Sequence, residues 1–411
     1  MKTFIAIGYV WPEPNSSAAG SRMMQILLLM QKSGYRVVFA SPAEDSAHAI
    51  DLESIGIEKH SIRLNCSSFD EWVRAQSPDV VMFDRFMMEE QFGWRVEKHV
   101  PDALRLLDME DVHCLRDARH RAVKAGRNLL ADDWHTDMAF REIASILRCD
   151  LTLVISEFEM NWLQDHFPIH ASKLLYAPFM VNSADAEGLS QRFADSDFEV
   201  RHGFVSIGNF RHAPNWDAVL QLREIWPDIR RHLPDAELNI YGAYPPKKAM
   251  QLDKPELGFR VRGWASDAYQ VIAEAKVMLA PLRFGAGLKG KLLDAMLVGT
   301  PAVTSSLGAE GMYGDCDQAA VVADDRDAFI DAAVRLYASR SEWESRSAAG
   351  YKLAIERFND ADHGPNITAT IDRLCVGLER HRRQDFAGGM LRHHSLKSTQ
   401  YMSQWIEAKN K

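Results

Sequence analysis

The chain has 411 residues, of which 46% are hydrophobic, 9% aromatic and 26% charged, so neither a disordered nor a fibrous protein is indicated. At about 100 to 200 residues per domain, this length predicts two or three domains and excludes one small module. Lysine and arginine number 48 against 57 aspartate and glutamate residues, and the net charge of -9 disfavours a nucleic-acid-binding protein.

Cysteine usage and hydropathy indicate the compartment. The five cysteines form no C-x-x-C pair, so neither a disulfide framework nor a zinc knuckle is indicated, and a reducing compartment fits. The apolar start of the chain is broken by Trp11, Pro12 and Pro14, and no run reaches the ~18 apolar residues of a membrane span. We therefore expect a soluble, cytoplasmic protein.

The first half of the chain alternates short β-rich runs with helix-length segments. Residues 3–10 form the first predicted strand, and after a polar loop residues 21–35 form a helix that Ser21 is expected to cap. Later strands are predicted at residues 36–41, 79–83, 103–107 and 151–155. After the last of these, Ser156 and Glu159 have the spacing of a capping box. Such alternation predicts a parallel sheet covered by helices on both faces.

A polar stretch without predicted strands separates the two halves, and the second half repeats the pattern. Its strands are predicted at residues 203–207, 237–241, 259–261, 277–280, 302–304 and 319–322. We expect two doubly wound α/β domains and a helical tail. The predicted boundaries are 1–182 for the first domain, 183–202 for a linker, 203–370 for the second domain and 371–411 for the tail. Ligands of such folds bind beyond the carboxyl ends of the strands, so the site is expected in the loops there.

The glycine-rich segment at residues 280–296 matches a dinucleotide-binding motif. Gly285, Gly287 and Gly290 form G-x-G-x-x-G after a predicted strand, and Glu310 follows 20 residues after the last glycine. In a dehydrogenase this motif usually follows the first strand of its domain, which is not its place here. An NAD-linked oxidoreductase is therefore a remote alternative.

The same segment partly matches a nucleoside-triphosphate loop. Residues 285–291 fit the first seven positions of G-x-x-x-x-G-K-[ST], but Leu292 stands where the magnesium-binding hydroxyl should be. In either interpretation, glycines bring the backbone close to oxygens and a helix amino terminus offers N–H groups, which predicts a phosphate-bearing ligand. Lys289 and Lys291 favour a diphosphate held by cations. A glycine turn with solvated lysines is the alternative without a ligand.

Four segments of the second half occur in an order typical of one enzyme family. They are GNFRHAPN after the first strand, PDAELNIYG, VRGW and APLRFGAGLKGKLLDAMLVGTPAVTSSLGAEGM. Over residues 203–312 the chain resembles the donor-binding half of GT-B-fold glycosyltransferases of family 4 (group 1), and the first half resembles them more loosely. The resemblance implies two Rossmann-like domains that face a cleft, with a C-terminal helix that returns to the first domain.

The resemblance also implies an activity. This is transfer of a hexosyl or related sugar (EC 2.4) from a UDP- or GDP-type donor to a glycan or lipid-linked acceptor in polysaccharide biosynthesis, with retention favoured over inversion. Basic side chains serve in place of a metal, so neither a metal nor a cofactor is expected. Ala286 occupies the first acidic position of the family's E-x7-E pattern. A catalytically silent nucleotide-binding or scaffold protein of the same fold is therefore the main alternative.

The donor residues are carried over from the family motifs. Arg211 and Lys289 are the expected catalytic cations at the diphosphate, and Asp294, at the second acidic position, is expected on the ribose hydroxyls. The implied donor site comprises Gly8, Gly20, Gly208, Arg211, Arg262, Gly263, Trp264, Gly285, Gly287, Lys289, Lys291 and Asp294.

The loop at residues 107–116 gathers carboxylates and a histidine after a predicted strand. The resemblance makes His113 the expected histidine at the reaction centre, and the acceptor-side candidates are Asp108, Glu110 and Asp111. A divalent metal site and a capped helix start with solvated acids are the alternatives.

The tail from residue 376 is basic. Its basic residues are Arg380, Arg382, Arg383, Arg392, Lys397, Lys409 and Lys411, and its acidic residues are Glu379, Asp385 and Glu407. We expect Trp405 and Ile406 to pack the last helix against the first domain, or the tail to form a basic patch on the inner membrane surface. No nucleic-acid partner is expected, and the oligomeric state is left open.

Overall fold

Two parallel β-sheets organise the chain, and the computed structural model describes residues 1–410. The first sheet contains β1 (Thr3–Ile7), β2 (Arg36–Ser41), β3 (Glu58–Ser61), β4 (Val80–Asp84), β5 (Leu104–Asp108), β6 (Leu151–Val154) and β7 (Leu174–Tyr176). Its seven strands lie in the order β3-β2-β1-β4-β5-β6-β7. All of its pairings are parallel, so the predicted sheet type is confirmed.

The second sheet has six parallel strands. They are β8 (Phe204–Ile207), β9 (Leu238–Tyr241), β10 (Phe259–Gly263), β11 (Val277–Ala280), β12 (Ala302–Thr304) and β13 (Ala320–Val322). Their order is β10-β9-β8-β11-β12-β13. Every strand predicted from the sequence lies in one of the two sheets.

Helices cover the faces of both sheets. In the first half they are α1 (Ala18–Lys32), α2 (Ser68–Gln76), α3 (Arg85–His99), α4 (His113–Lys124), α5 (Asp137–Arg148), α6 (Glu157–His166) and α7 (Ser183–Arg192). In the second half they are α8 (Ala213–His232), α9 (Lys247–Met250), α10 (Ala268–Ala273), α11 (Gly290–Leu297), α12 (Ser306–Ala309), α13 (Arg326–Ala338) and α14 (Arg340–Arg357). The tail forms α15 (Asp360–Gln384) and α16 (Phe386–Lys409).

The core strands are apolar along their whole length because both faces of each sheet are covered. All five residues of β1 and all four of β11 are buried. Continuous apolar runs are typical of parallel sheets with helices on both sides. The two strands that the sequence did not reveal, β3 and β7, are short, and β3 is largely polar. The polar stretch predicted as a linker contains α7.

Two predicted helix caps are wrong. The amino terminus of α1 is capped by Ser17, whose hydroxyl accepts from the Gly20 N–H at 3.0 Å, while the Ser21 hydroxyl donates to a carbonyl within the preceding loop. Ser156 precedes α6 without a side-chain capping bond, so the capping box is absent there. The Glu159 carboxylate instead turns towards the second sheet's glycine-rich loop.

The strand orders reverse at one point in each sheet. This switch point lies between β1 and β4 in the first sheet and between β8 and β11 in the second. At a switch point, adjacent loops leave in opposite directions and open a crevice for a ligand. Side-chain bonds join the loops of the two sheets, for example from the Tyr244 hydroxyl to Glu13 at 2.7 Å and from the Trp264 indole to the Asn15 carbonyl at 2.9 Å. The two crevices therefore face each other.

The tail returns to the first domain, as the resemblance implied. Helix α16 packs on α3 and α5. Arg382 binds Asp150 through two hydrogen bonds, and Arg392 donates to the Arg148 carbonyl at 3.0 Å, so two of the predicted surface cations serve in packing. Trp405 is 60% exposed, which makes the packing role predicted for it wrong. Lys411 lies outside the described residues.

Candidate active site

The glycine-rich turn between β11 and α11 is pressed against the first domain. The Gly287 N–H donates to Glu159 Oε1 at 2.8 Å, and the same oxygen accepts from the Val112 N–H at 2.9 Å. A Cβ on Gly287 would lie 2.9 Å from the Asp111 Cβ, so only glycine fits this contact. One buried carboxylate oxygen thus joins the loops of the two domains.

Two lysines lie at the amino terminus of α11. Lys289 is buried, and its Nζ donates to the Gly287 carbonyl at 2.5 Å. Burial lowers the pKa of its amino group, opposed by the nearby Glu310 carboxylate. The Nζ of Lys291 donates to Asn215 Oδ1 at 2.7 Å, and burial, followed by the charge of Lys289, lowers its pKa to about 8. The two predicted lysines therefore lie together at the start of α11, and Lys291 also contacts the first turn of α8.

Arg211 lies in the loop after β8, across the switch point from the glycine-rich turn. Its guanidinium lies 3.6 Å from the centroid of the Tyr244 ring and is exposed. A Cβ on Gly208, at the start of the same loop, would lie 2.6 Å from the Asn215 side chain. Glycine at this position lets α8 approach the strand end closely.

Asp294 lies one turn into α11 and is half-buried. Burial raises the pKa of its carboxyl to about 7, although the hydrogen bond from Tyr269 of α10 acts in the opposite direction. A group with this pKa changes charge near neutral pH. The charge of the carboxyl that is expected on the ribose therefore depends on pH near neutrality.

The three donor-site residues predicted at the end of β10 lie in two different environments. Arg262 donates to Asn239 Oδ1 on β9 at 2.7 Å, so its side chain lies against the sheet. Gly263 has a φ of 78°, which favours glycine, and its carbonyl accepts from the Gly242 N–H at 2.8 Å. Trp264 contacts the loop after β1, and its ring centroid lies 4.8 Å from that of His48, with the two rings tilted by 37°. Only Trp264 of the three meets the first domain directly.

The two glycines predicted in the first domain allow close packing. A Cβ on Gly8 would lie 2.1 Å from the Phe39 ring, and one on Gly20 would lie 2.5 Å from the Glu13 backbone. Both therefore fix the path of the loop between β1 and α1. Through this loop, Glu13 and Asn15 reach the second domain.

Asp108, the last residue of β5, is fully buried. Its Oδ1 accepts from the Arg22 Nη2 at 2.8 Å, and the same guanidinium donates to the carbonyls of Ala177 and Pro178. This buried pair connects α1 with the sheet. Asp108 consequently has no exposed surface with which to meet an acceptor, contrary to the expectation for it.

Glu110 and Asp111 lie side by side but differ in charge state. Glu110 has a φ of 66°, an uncommon conformation for a residue with a side chain, and burial raises its pKa to about 8. Asp111 forms an ion pair with Arg116, and that arginine and His113 hold its pKa well below its usual range against the opposing effect of burial. Near neutral pH, Glu110 is thus the proton carrier of the two and Asp111 the fixed anion.

His113 begins α4, and its ring is buried. Its Nδ1 lies 3.0 Å from the Asp111 carbonyl and 3.4 Å from Glu142 Oε1, and its ring meets the edge of Phe86. Both oxygens are acceptors, so Nδ1 carries a proton. The Glu142 carboxylate also accepts from the N–H groups of His113 and Cys114, which fixes the start of α4.

Arg85 is a site residue that the sequence analysis missed. It follows β4 at the switch point, and its φ of 68° is in the left-handed region. Its guanidinium lies 3.4 Å from Asp84 Oδ2, 4.0 Å from Glu110 Oε2 and 5.6 Å from the Tyr9 ring centroid. Two neighbouring strands are thus each followed within two residues by a residue with positive φ, and the side chains of these two residues lie 4.0 Å apart. In the sequence, the position of Arg85 shortly after a predicted strand was the feature that could have indicated it.

Arg119 and Glu310 form a second connection between the domains that was not predicted. Arg119 Nη1 and Nη2 each lie 2.8 Å from a different carboxylate oxygen of Glu310, and Nη1 also donates to the Gly285 carbonyl at 2.8 Å. Such a two-point contact fixes both position and orientation. Glu310, the acidic residue of the dinucleotide-binding motif, is thus held by a first-domain arginine.

The described residues show neither a metal-binding cluster nor a membrane-spanning helix. Residues 1–410 contain no grouping of three or more His, Cys, Asp and Glu side chains that is suited to a metal ion. The acidic residues of the loop after β5 are matched by the arginines at positions 22, 85 and 116. In the same part of the chain, no helix is both long and apolar enough to cross a membrane.

Comparison with known proteins gives one family match. The model of glycosyl transferases group 1 matches residues 201–339, the segment that contains Arg211, Lys289, Lys291 and Asp294. No curated protein matches the chain.

Similar solved structures extend over both domains. Sucrose-phosphate synthase from Thermosynechococcus elongatus is 16% identical with a TM-score of 0.67, and the match covers 92% of this chain and 100% of that one. Alr3699/HepE from Anabaena, solved with UDP-glucose, is 12% identical with a TM-score of 0.66 over 91% and 100% of the two chains. WaaG, a glycosyltransferase involved in lipopolysaccharide biosynthesis, is 13% identical with a TM-score of 0.61 over 89% and 99%. At these identities the likeness establishes the fold.

Proposed function

Because the chain has the GT-B fold and its residues 201–339 match the model of the group 1 glycosyl transferases, we propose that it transfers a sugar from a nucleotide-diphosphate donor to a carbohydrate acceptor. The donor is of the UDP or GDP type, the acceptor is a glycan or lipid-linked glycan, and no metal is essential. Retention of configuration at the transferred sugar is part of the proposal.

The observation that supports this function most strongly is the pair of lysines at the amino terminus of α11. The helix terminus offers N–H groups, and Lys289 and Lys291 add two cations where the glycines expose the backbone. This terminus lies beside the switch point between β8 and β11. A diphosphate would meet it there, with Arg211 on the opposite side.

The proposed chemistry follows from where charge develops. As the bond between sugar and diphosphate breaks, negative charge builds on the leaving diphosphate. Arg211, Lys289 and Lys291 would stabilise that charge in place of a metal ion. Asp294 would hold the ribose, since a carboxylate can accept from two adjacent hydroxyls.

The acceptor side of the proposal rests on the loop after β5. His113 is buried and its Nδ1 carries a proton. Glu110 lies near it, with its carboxyl beside Arg85 and its backbone beside Gly287 of the glycine-rich turn. We assign His113 to the reaction centre and Glu110 and Asp111 to acceptor or sugar hydroxyls. Asp108 would act from behind them by fixing Arg22.

A thermal-shift panel tests the donor class. UDP, GDP, ADP, their sugar conjugates and NAD would each be added to the full chain, and a UDP- or GDP-type ligand is expected to raise the melting temperature. Stabilisation by NAD alone would contradict the proposal and revive the oxidoreductase alternative. Binding of a nucleotide sugar without transfer or hydrolysis would favour the other alternative, a catalytically silent protein of the same fold, which the presence of Ala286 suggested.

Lys289→Ala tests the diphosphate contact. Turnover is expected to fall more than about tenfold, because one charge-assisted contact contributes about 1.5–3 kcal/mol to the transition state. Lys352→Ala, at an exposed lysine of α14, is the matched control and should leave turnover unchanged. Melting temperatures of both variants would separate a catalytic loss from unfolding. Unchanged turnover in Lys289→Ala would refute this assignment.

Treatment with a chelator tests the metal-independent mechanism. Activity is expected to persist after a metal chelator has been added, because the proposed counter-charges are side chains. Loss of activity that Mn²⁺ restores would contradict this part of the proposal.

A further inference from the structure

The outer face of α16 carries a row of large apolar side chains that are open to solvent. Phe386, Met390, Tyr401 and Trp405 are between 48% and 83% exposed. With His394 and Lys397 they are spaced by three or four residues, which places them along one face of the helix. We call Phe386, Met390, His394, Lys397, Tyr401 and Trp405 the outer row. At a rise of 1.5 Å per residue it is about 29 Å long.

The opposite face of α16 is anchored, so the outer row cannot turn inwards. Leu396 and Ser403 are buried, and the Ser403 hydroxyl accepts from Arg95 of α3 at 3.0 Å. Near the end of the helix, Glu407 accepts from the Ser67 hydroxyl at 2.6 Å. These contacts hold the helix against the first domain along most of its length.

The charges on α16 are also divided between its faces. Its one acidic residue, Glu407, is engaged on the anchored side. The exposed side carries Lys397 and Lys409, and the latter lies 5.2 Å from the Trp405 ring centroid. In a protein with a net charge of -9, this face combines aromatic residues and cations without an acidic residue.

We propose that the outer row is a docking surface for an anionic lipid bilayer. Tryptophan and tyrosine favour the boundary between headgroups and acyl chains, and lysines beside them are attracted to anionic headgroups. A helix fixed to the protein surface presents such residues to a membrane along one face.

The charge of the face favours a membrane over a second copy of the chain. In an isologous dimer the same patch meets itself, so two cationic faces without acidic residues would be opposed. An anionic bilayer supplies the complementary charge. The inference rests on α16 alone and does not depend on the proposed sugar transfer, although a lipid-linked acceptor would be reached at such a surface.

Vesicle co-sedimentation tests the inference with the full chain. The protein is expected to bind vesicles of phosphatidylcholine and phosphatidylglycerol in equal parts more tightly than vesicles of phosphatidylcholine alone. The double variant Tyr401→Ser with Trp405→Ser should weaken binding to the mixed vesicles more than about tenfold, because two exposed aromatic side chains are lost from the contact. Lys397→Gln should reduce the preference for the anionic vesicles.

Leu257→Ser is the matched control, since Leu257 is 54% exposed on the second domain. It should bind the mixed vesicles as the unaltered chain does. All the substituted residues are exposed, so melting temperatures should change little. Failure of the unaltered chain to bind the mixed vesicles, or equal binding by the double variant, would overturn the inference. So would a concentration-dependent dimer that Trp405→Ser abolishes, because it would make a second copy the occupant.

Discussion

Burial tunes two ionisable side chains of α11 to neutral pH. It raises the pKa of Asp294 to about 7 and lowers that of Lys291 to about 8, where Lys289 contributes in the same direction. Below the first value the carboxyl is protonated and loses acceptor capacity. Above the second value the amine is neutral. Both are charged, as the proposed nucleotide binding requires, only in the interval between the two values.

We therefore expect the affinity for the nucleotide diphosphate to be highest between about pH 7 and pH 8, and to fall on either side. In Asp294→Asn, the fall in affinity at low pH that is caused by protonation of this carboxyl should disappear. Lys291→Arg should move the alkaline limb to higher pH, because a guanidinium stays charged. Calorimetric titration with UDP or GDP from about pH 6 to about pH 9 would measure this. An identical profile in all three proteins would contradict the assignment of both residues.

At the scale of elements, the glycine-rich turn depends on a left-handed backbone at the point where the domains touch. Gly287 has a φ of 64° and faces Asp111 without room for a Cβ. Gly126, after α4, has a φ of 62° but no atom within 4 Å of a Cβ position. The two glycines therefore share a left-handed backbone, but only Gly287 contacts the other domain.

Alanine at these two glycines separates backbone strain from the domain contact. Gly126→Ala should lower the free energy of unfolding by about 1–2 kcal/mol, the cost of a left-handed alanine. Gly287→Ala should lower it further and also reduce kcat/KM, because the turn must move away from the first domain. Urea unfolding and steady-state kinetics would measure both effects. Equal losses in stability with unchanged kinetics would show that the contact is dispensable.

At the scale of the whole molecule, Arg119 makes one of the contacts that hold the two domains together. Its two-point contact with Glu310 and its bond to the Gly285 carbonyl connect α4 to the loops after β11 and β12. Glu159 makes a second connection to the same turn. These directional contacts lie beside the proposed donor site and act together with the bonds from Tyr244 to Glu13 and from Trp264 to Asn15.

Removal of this contact should open the ligand-free protein. We expect Arg119→Ala to raise the radius of gyration measured by small-angle X-ray scattering, and a bound nucleotide sugar to reverse part of the change. Arg121→Ala is the control on the same helix, because Arg121 pairs with Asp117 within α4. A radius of gyration equal to that of the unaltered chain would show that Arg119 does not control closure.

Local patterns determined much of this protein from sequence alone. Apolar runs of strand length alternate with helical segments. This pattern predicts both sheets, because a strand that is covered by helices on both faces must be apolar along its whole length. The turn with Gly285, Gly287, Lys289 and Lys291 is also a local signal, since its chemistry lies within a few consecutive residues. The polar strand β3 and the short β7 lack such a signal.

Only the tertiary structure decided which side chains meet between the domains. Glu159 reaches Gly287 across 128 positions of sequence, and Arg119 reaches Glu310 across 191. It also buried Asp108 with Arg22 and left Trp405 exposed, against the expectations for both. The physical reason is that hydrogen bonds, burial and the resulting pKa values depend on distances in space. A sequence specifies these distances only once its domains have packed together.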